Sequence, residues 1–144
     1  MLTLIIGLPG SGKTYMLNQL EKVPNQFIYD DAIPNIPYND FYSRLSDLSN
    51  SVYLADPRLC DYPTFKRVVD RLPSNIQSTM QLILFENNPE ACIRNVTNDR
   101  RIRDIQTYSK HYDIELYLEW HHTINEIVNE AEQLDNQANH HNNH

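Results

Sequence analysis

The glycines of this chain are confined to one short segment, and this constrains the fold more than any other feature. All three, Gly7, Gly10 and Gly12, fall within six residues, and the rest of the 144-residue chain has none. This distribution argues against glycine-turn-rich barrels and sandwiches, collagen-like repeats and flexible linkers. The apolar run 2–6 stands directly before the cluster and indicates a buried strand.

The cluster fits the phosphate-binding pattern G-x-x-x-x-G-K-[ST] over residues 7–14, which we call the 7–14 loop. Glycines allow the backbone angles and the close approach by which successive N–H groups hold phosphate oxygens. A helix starting near Lys13 adds its positive end, the Lys13 ammonium reaches the β- and γ-phosphates, and the Thr14 hydroxyl binds Mg²⁺. Apart from a chance match, the pattern predicts binding of ATP or GTP with Mg²⁺. The predicted nucleotide contacts here are Gly7, Leu8, Pro9, Gly10, Ser11, Gly12, Lys13, Thr14 and Tyr15.

Apolar runs alternate with helical patterns along the rest of the chain, which predicts a single α/β domain with a parallel sheet. Further strands are expected at 27–29, 51–55 and 80–85, and helices at 13–22, 38–48, 63–72, 89–98, 101–112 and 114–134.

Charge is distributed unevenly. Residues 1–110 hold all 12 Lys and Arg and 12 of the 19 Asp and Glu, whereas residues 111–144 hold the other seven acids and no Lys or Arg. The acidic balance therefore says little about whether the main body binds phosphate. We expect a core over 1–112, an acidic helix over 113–134 that packs on the core or meets a protein partner, and a disordered tail over 135–144.

Cysteine usage and hydropathy indicate a cytoplasmic protein. Cys60 and Cys92 lie in apolar patterns and are expected to be buried, reduced thiols. No stretch approaches the ~20 apolar residues of a membrane span, and the run 2–6 is too short for a signal peptide.

Five stretches together resemble the small P-loop kinases, in particular the kinase domain of phage polynucleotide 5′-hydroxyl kinases. The resemblance implies a three-layer P-loop NTPase fold of the kinase type, with four parallel strands that we expect in the order 2-3-1-4. It also implies transfer of the ATP γ-phosphoryl group to a hydroxyl, on a polynucleotide 5′ end, a nucleoside or a nucleotide, in the host cytoplasm if a phage encodes the chain. The stretches are GLPGSGKT (7–14), FIYDD (27–31), VYLADPRL (52–59), LFENNPEACIRN (84–95) and IQTYSKHY (105–112).

The resemblance assigns roles to three acids. Asp30, which ends the second strand, would be the general base, with Asp31 as the alternative and as an acceptor contact. A turn or cap before the proline-rich segment is the structural alternative for this pair. Asp56 follows the third strand, where an acid holds Mg²⁺ in P-loop proteins or contacts the acceptor in these kinases. A turn before Pro57 is the alternative for Asp56.

Arginines are concentrated near residues 94–103, where the resembling kinases have a lid that closes over the nucleotide. Arg94 is expected to bind nucleotide, and Arg100 and Arg101 to stabilise charge on the transferred group; which of them acts is left open. Unlike the resembling kinases, this chain has no basic residue directly after Asp31. Arg44 and Arg58 are therefore the expected acceptor contacts.

The sequence is compatible with two other functions. One is a nucleotide-binding module or NTPase without transfer activity, and the other is a protein recruited to a partner through its acidic helix.

Overall fold

A computed structural model describes residues 1–142, with side-chain surroundings given for residues 1–134. Its sheet has four parallel strands in the order β2-β3-β1-β4. This confirms the expected α/β class, the parallel sheet and the strand order. The strands are β1 (Leu2–Ile6), β2 (Gln26–Asp30), β3 (Ser51–Ala55) and β4 (Gln81–Leu84).

Helices cover the sheet and connect its strands. Two short 3₁₀ turns, Ile33–Asn35 and Pro57–Cys60, directly follow the ends of β2 and β3. The α-helices are α1 (Lys13–Gln19), α2 (Tyr38–Ser46), α3 (Tyr62–Asp70), α4 (Ser74–Thr79), α5 (Pro89–Arg94), α6 (Asp99–Ser109) and α7 (Ile114–Asn142).

β1 is the centre of the core. All five of its residues are buried, as expected for a parallel strand that is covered on both faces. Leu2, Leu4 and Ile6 face the larger cluster, whereas Ile5 packs with Leu17 of α1 in the smaller one. The parallel register brings the ends of β1, β2 and β3 to one edge, where ligands of open α/β sheets bind.

Helix boundaries differ from the expected ones where the sequence carries little periodicity. α4 was not expected, because only Ile76 of its six residues is buried and no apolar stripe marks it. α1 ends three residues earlier than expected, where Leu20 turns to an extended conformation and donates its N–H to Leu17 O. α5 likewise ends at Arg94, so residues 95–98 form an irregular link to α6.

α7 packs on the core through its first turns. Tyr117 is fully buried, and Trp120 meets the Phe65 ring edge-on at 5.2 Å between ring centroids. Ile127 and Leu134, farther along, are exposed. The tail predicted to be disordered, residues 135–144, lies outside the residues whose side chains are described.

Across the described part of the chain, none of the helices combines the length and the apolar character needed to cross a membrane.

Candidate active site

The 7–14 loop connects β1 to α1 and requires glycine on steric grounds. Gly10 and Gly12 have φ angles of 77° and 105°, in the left-handed region that favours glycine. A Cβ on Gly10 would lie 2.5 Å from the Cys92 carbonyl oxygen, and one on Gly7 would lie 2.6 Å from Ser11 Oγ. Gly10 therefore allows the loop to pass tightly against α5, and Gly7 allows it to fold closely onto Ser11 and Phe85.

Lys13 is held by the loop that precedes it. Its Nζ donates to Gly7 O at 2.6 Å and to Leu8 O at 2.8 Å, with Ser11 Oγ at 3.4 Å. The side chain is only 6% exposed, and this burial lowers the pKa of its ammonium. The group nevertheless borders the cavity described below, so a short movement would bring it to an anion there.

Asp30 lies beside the start of α1. Thr14 Oγ1 donates to Asp30 Oδ2 at 3.3 Å. Partial desolvation of its carboxylate, followed by the neighbouring Asp31 carboxylate, raises the pKa of Asp30, although solvent still reaches the side chain. Asp31 continues the ladder by donating its N–H to Ala55 O, and its φ of 52° ends the extended backbone of the strand.

An open cavity of about 570 Å³ lies at this edge of the sheet. It brings together the loop, the end of β2, the turn after β3 and one face of α6. Of the predicted lid arginines, Arg100 and Arg101 line it, whereas Arg94 is exposed and outside it. The lining residues are Pro9, Gly10, Gly12, Lys13, Thr14, Tyr15, Asp30, Asp31, Pro57, Arg58, Asn95, Val96, Asn98, Arg100, Arg101, Asp104 and Tyr108.

Asp56 lies beneath this cavity and does not line it. Its fully buried carboxylate accepts from the Ile33 and Arg58 N–H groups, each at 2.9 Å. Arg58 Nη1 also lies 3.1 Å from both carboxylate oxygens. Asp56, which was predicted to bind a metal, is therefore fully hydrogen-bonded to the Arg58 side chain and to two backbone N–H groups. Its contact with Arg58 holds that arginine at the cavity wall.

The structure does not bring Arg44 to the cavity. Its guanidinium stacks 4.1 Å from the centroid of the Phe27 ring, donates to Tyr29 Oη at 2.9 Å and pairs with Asp40 at 3.3 Å. Phe27 lies near the start of β2, whereas the cavity lies at the strand ends. Of the two predicted acceptor arginines, only Arg58 lines the cavity.

Several residues that line the cavity are absent from the site predicted from the sequence. Asn95 donates from Nδ2 to Gly10 O at 3.0 Å and so links the start of the lid to the loop. Asn98 caps α6 by accepting from Arg100 N at 2.8 Å, a role that the Asn-Asp pair before the arginines could have signalled. Tyr108 lies two turns farther along α6, and only tertiary packing reveals its position.

The donor set fits a metal ion that arrives with phosphates. Among the described residues, no group of three or more His, Cys, Asp or Glu is placed to hold a metal. The Thr14 hydroxyl and the Asp30 carboxylate offer oxygen atoms close to the glycine loop. Mg²⁺ retains several waters and is commonly bound by one or two protein oxygens together with substrate phosphates.

Comparison with known proteins relates most of this chain to a viral protein. No family model matches the sequence. The uncharacterized protein R277 of Acanthamoeba polyphaga mimivirus is 37% identical over 133 residues, covering 88% of this chain and 96% of that protein. The chain therefore belongs to the same family as the mimivirus protein R277.

Proposed function

We propose that this protein is an ATP-dependent phosphotransferase of the P-loop kinase type, which transfers the γ-phosphoryl group of ATP to an acceptor hydroxyl. One observation carries the proposal. The Asp30 carboxylate adjoins Thr14 at the end of the glycine loop, and Arg100 and Arg101 line the same cavity. A hydroxyl-activating carboxylate, a phosphate cradle and charge-stabilising arginines are the groups that phosphoryl transfer requires.

The donor would bind in the 7–14 loop. The loop N–H groups and the positive end of α1 would hold the phosphate oxygens, and Lys13 would exchange its loop carbonyls for phosphate. The Thr14 hydroxyl would hold Mg²⁺, which neutralises charge on the phosphates when it is bound. GTP satisfies the same contacts, because none of them involves the base.

The acceptor would approach from the side of Asp30. Its hydroxyl oxygen forms the new bond to the γ-phosphorus, its proton passes to an Asp30 oxygen, and the bond from the γ-phosphorus to the bridging oxygen breaks to release ADP. Arg100 and Arg101 stabilise the negative charge that spreads over the transferred group. The raised pKa of Asp30 makes its carboxylate a stronger base for this step.

The exposure of Asp30 favours a second candidate, an NTPase without transfer activity. Asp30 is solvent-exposed and the cavity is open, so water can reach the position that an acceptor hydroxyl would take. Both candidates need a nucleotide in the loop, and they differ only in what attacks it. ATP chemistry and the free thiols of Cys60 and Cys92 fit a cytoplasmic protein in either case.

The two candidates are separated by following the γ-phosphoryl group. The protein is incubated with γ-labelled ATP and Mg²⁺, alone and with 5′-hydroxyl oligonucleotides, nucleosides or nucleoside monophosphates. Label on an acceptor supports the kinase, and release of labelled inorganic phosphate without acceptor labelling supports the NTPase. Failure to bind ATP or GTP in calorimetry would overturn both.

A further inference from the structure

A second, smaller groove lies outside the cavity, between the start of α2 and the outer face of α3. It measures about 100 Å³ and is lined by Ile33, Tyr38, Thr64, Arg67, Val68 and Arg71. None of these residues lines the larger cavity. The groove and the cavity therefore have separate linings.

The two arginines of this groove differ from the other basic residues nearby. Arg67 and Arg71 are exposed, stand one helical turn apart, and have no carboxylate within 4.0 Å among the described side chains. Arg67 Nη2 donates to Thr64 Oγ1 at 3.0 Å. Two like charges at this spacing repel each other. A ligand with negative charge would remove that repulsion.

The acids closest to these arginines along the chain contact other side chains. Asp61 accepts from the Thr64 hydroxyl at 2.7 Å, and Asp70 pairs with Lys66 at 3.0 Å. Asp61 reaches Arg67 only through the Thr64 hydroxyl, so among the described side chains neither guanidinium of the groove is in direct contact with a carboxylate. Guanidinium groups bind phosphate through two parallel N–H donors, which makes phosphate the anion that best fits this pair.

The groove adjoins the acceptor side of the cavity. Asp31 lines the cavity and Ile33, two residues later, lines the groove, so the chain path between them spans at most about 7 Å. The Ile33 N–H is fixed to Asp56, which also holds Arg58 at the cavity wall. Ile33 and Asp56 therefore connect the groove to the Arg58 side of the cavity wall.

We propose that Arg67 and Arg71 form a phosphate-binding exosite for a ligand that extends past the cavity on its acceptor side. The ligand chemistry is a phosphate mono- or diester. Its link to the acceptor rests on the proposed function, whereas phosphate binding by the groove does not. Tyr38, which lines the groove, stacks on Tyr42 with ring centroids 5.8 Å apart, and both rings pack against the core, so the groove wall opposite the arginines is firmly held.

The test compares two double variants that remove the same net charge. Arg67→Gln/Arg71→Gln removes the exosite, and Arg44→Gln/Lys66→Gln removes two cations that have carboxylate partners. Binding is measured without ATP, using inorganic phosphate, a dinucleotide and a labelled ten-nucleotide single strand at several salt concentrations. Denaturation midpoints establish that each variant is folded.

We expect the exosite variant to bind the single strand about tenfold or more weakly. The slope of log K against log salt should fall by about 1.4, since each phosphate contact to a single strand contributes about 0.7. The control variant should change both quantities much less. An equal loss with inorganic phosphate would support the exosite and identify a small anion as its ligand. Equal effects of the two variants on all three probes would overturn it.

This binding result is independent of the proposed function. Phosphate transfer is followed separately in the wild-type protein, so a chain that binds the strand but transfers no label would refute the kinase and leave the exosite standing. If the wild-type protein transfers label but the two double variants bind the strand equally well, the exosite is refuted and the kinase stands.

Discussion

The Thr14 hydroxyl lies 3.3 Å from an Asp30 carboxylate oxygen, although 16 residues separate the two in sequence. The parallel pairing of β3 with both β1 and β2 accounts for this proximity, because it brings the end of β2 and the start of α1 to one edge of the sheet. The contact joins the residue expected to bind Mg²⁺ to the residue expected to accept the proton. Each should therefore influence the chemistry of the other.

Replacing Asp30 tests its assignment as the base. Asp30→Asn keeps the size of the side chain and can still accept from Thr14, so ATP affinity should change little. Transfer to an acceptor hydroxyl should fall by about 10² to 10⁴, the usual contribution of general base catalysis. Labelled transfer and calorimetry measure the two quantities.

Asp40→Asn is the matched control, because Asp40 pairs with Arg44 outside the cavity. Its transfer rate should stay within about twofold of wild type, as expected for a surface pair. If Asp30→Asn transferred phosphate at the wild-type rate, another group would be the base, and Asp31 would be the next carboxylate to replace.

The pKa of Asp30 should respond to Asp31. Partial desolvation and the Asp31 carboxylate both raise the pKa of Asp30, so Asp31→Asn should lower it by removing one of these causes. Asparagine tolerates the left-handed backbone of residue 31, which alanine would strain. Carboxyl NMR titration measures the Asp30 pKa directly, and the acid limb of kcat/KM should move to lower pH with it.

The direction in which the pH profile moves follows from the protonation state that Asp30 needs as a base. A base acts only when deprotonated, so activity is lost as pH falls through its pKa, and a lower pKa preserves activity to lower pH. Asp40→Asn again serves as the control and should leave the Asp30 titration in place. An unchanged or raised Asp30 pKa in Asp31→Asn would contradict the electrostatic coupling.

Much of the site follows from local sequence, because local rules position it. A buried strand, three glycines and Lys-Thr specify the loop, and a short strand ending in Asp-Asp places Asp30 beside it. Parallel α/β topology then brings both to one edge. These inferences need only periodicity, glycine conformation and the rule for strand ends.

The choice between Arg44 and Arg58 could not be made from the sequence. Arg44 lies in α2 and Arg58 in the 3₁₀ turn after β3. Because an arginine side chain is long and flexible, either one could reach the acceptor side of the sheet edge. Arg44 is fixed by the Phe27 ring and by Asp40, and Arg58 by a buried carboxylate two residues earlier. The position of Arg44 depends on its contact with Phe27 of another element, and that of Arg58 depends on the burial of Asp56, and no local pattern reports either.

The glycines of the loop should differ in what substitution costs. Gly10→Ala forces a Cβ to 2.5 Å from the Cys92 carbonyl oxygen at a φ of 77°, so either the loop or α5 must move. Gly12→Ala meets only Phe85 Cε1 at 3.7 Å and carries backbone strain alone. We expect a loss in unfolding free energy of about 1–2 kcal/mol for Gly12→Ala and a larger one for Gly10→Ala.

Urea denaturation measures both losses, and calorimetry with ATP shows whether the loop still binds phosphate. A Gly10→Ala variant as stable as Gly12→Ala would mean that α5 gives way easily. Asn95→Ala provides a comparison, because it removes the hydrogen bond from Asn95 Nδ2 to Gly10 O and leaves the glycine in place.

Asp56 can be tested as a positioning residue against its expected role as a metal ligand. Asp56→Asn removes the charge that holds Arg58 and puts an amide where four donor contacts converge. We expect a loss in unfolding free energy of about 1–3 kcal/mol and a raised KM for the acceptor. The Mg²⁺ concentration for half-maximal activity should not change, because the carboxylate does not reach the cavity.

A double-mutant cycle with Arg58→Gln tests whether Asp56 acts through Arg58. If Asp56 acts through Arg58, the double variant should lose little more acceptor affinity than either single variant, so the effects on KM will not add. A Mg²⁺ ligand would behave differently, because Asp56→Asn would raise the Mg²⁺ requirement whether or not Arg58 is present. Additive effects on KM together with a higher Mg²⁺ requirement would return Asp56 to the metal role that its position after β3 first indicated.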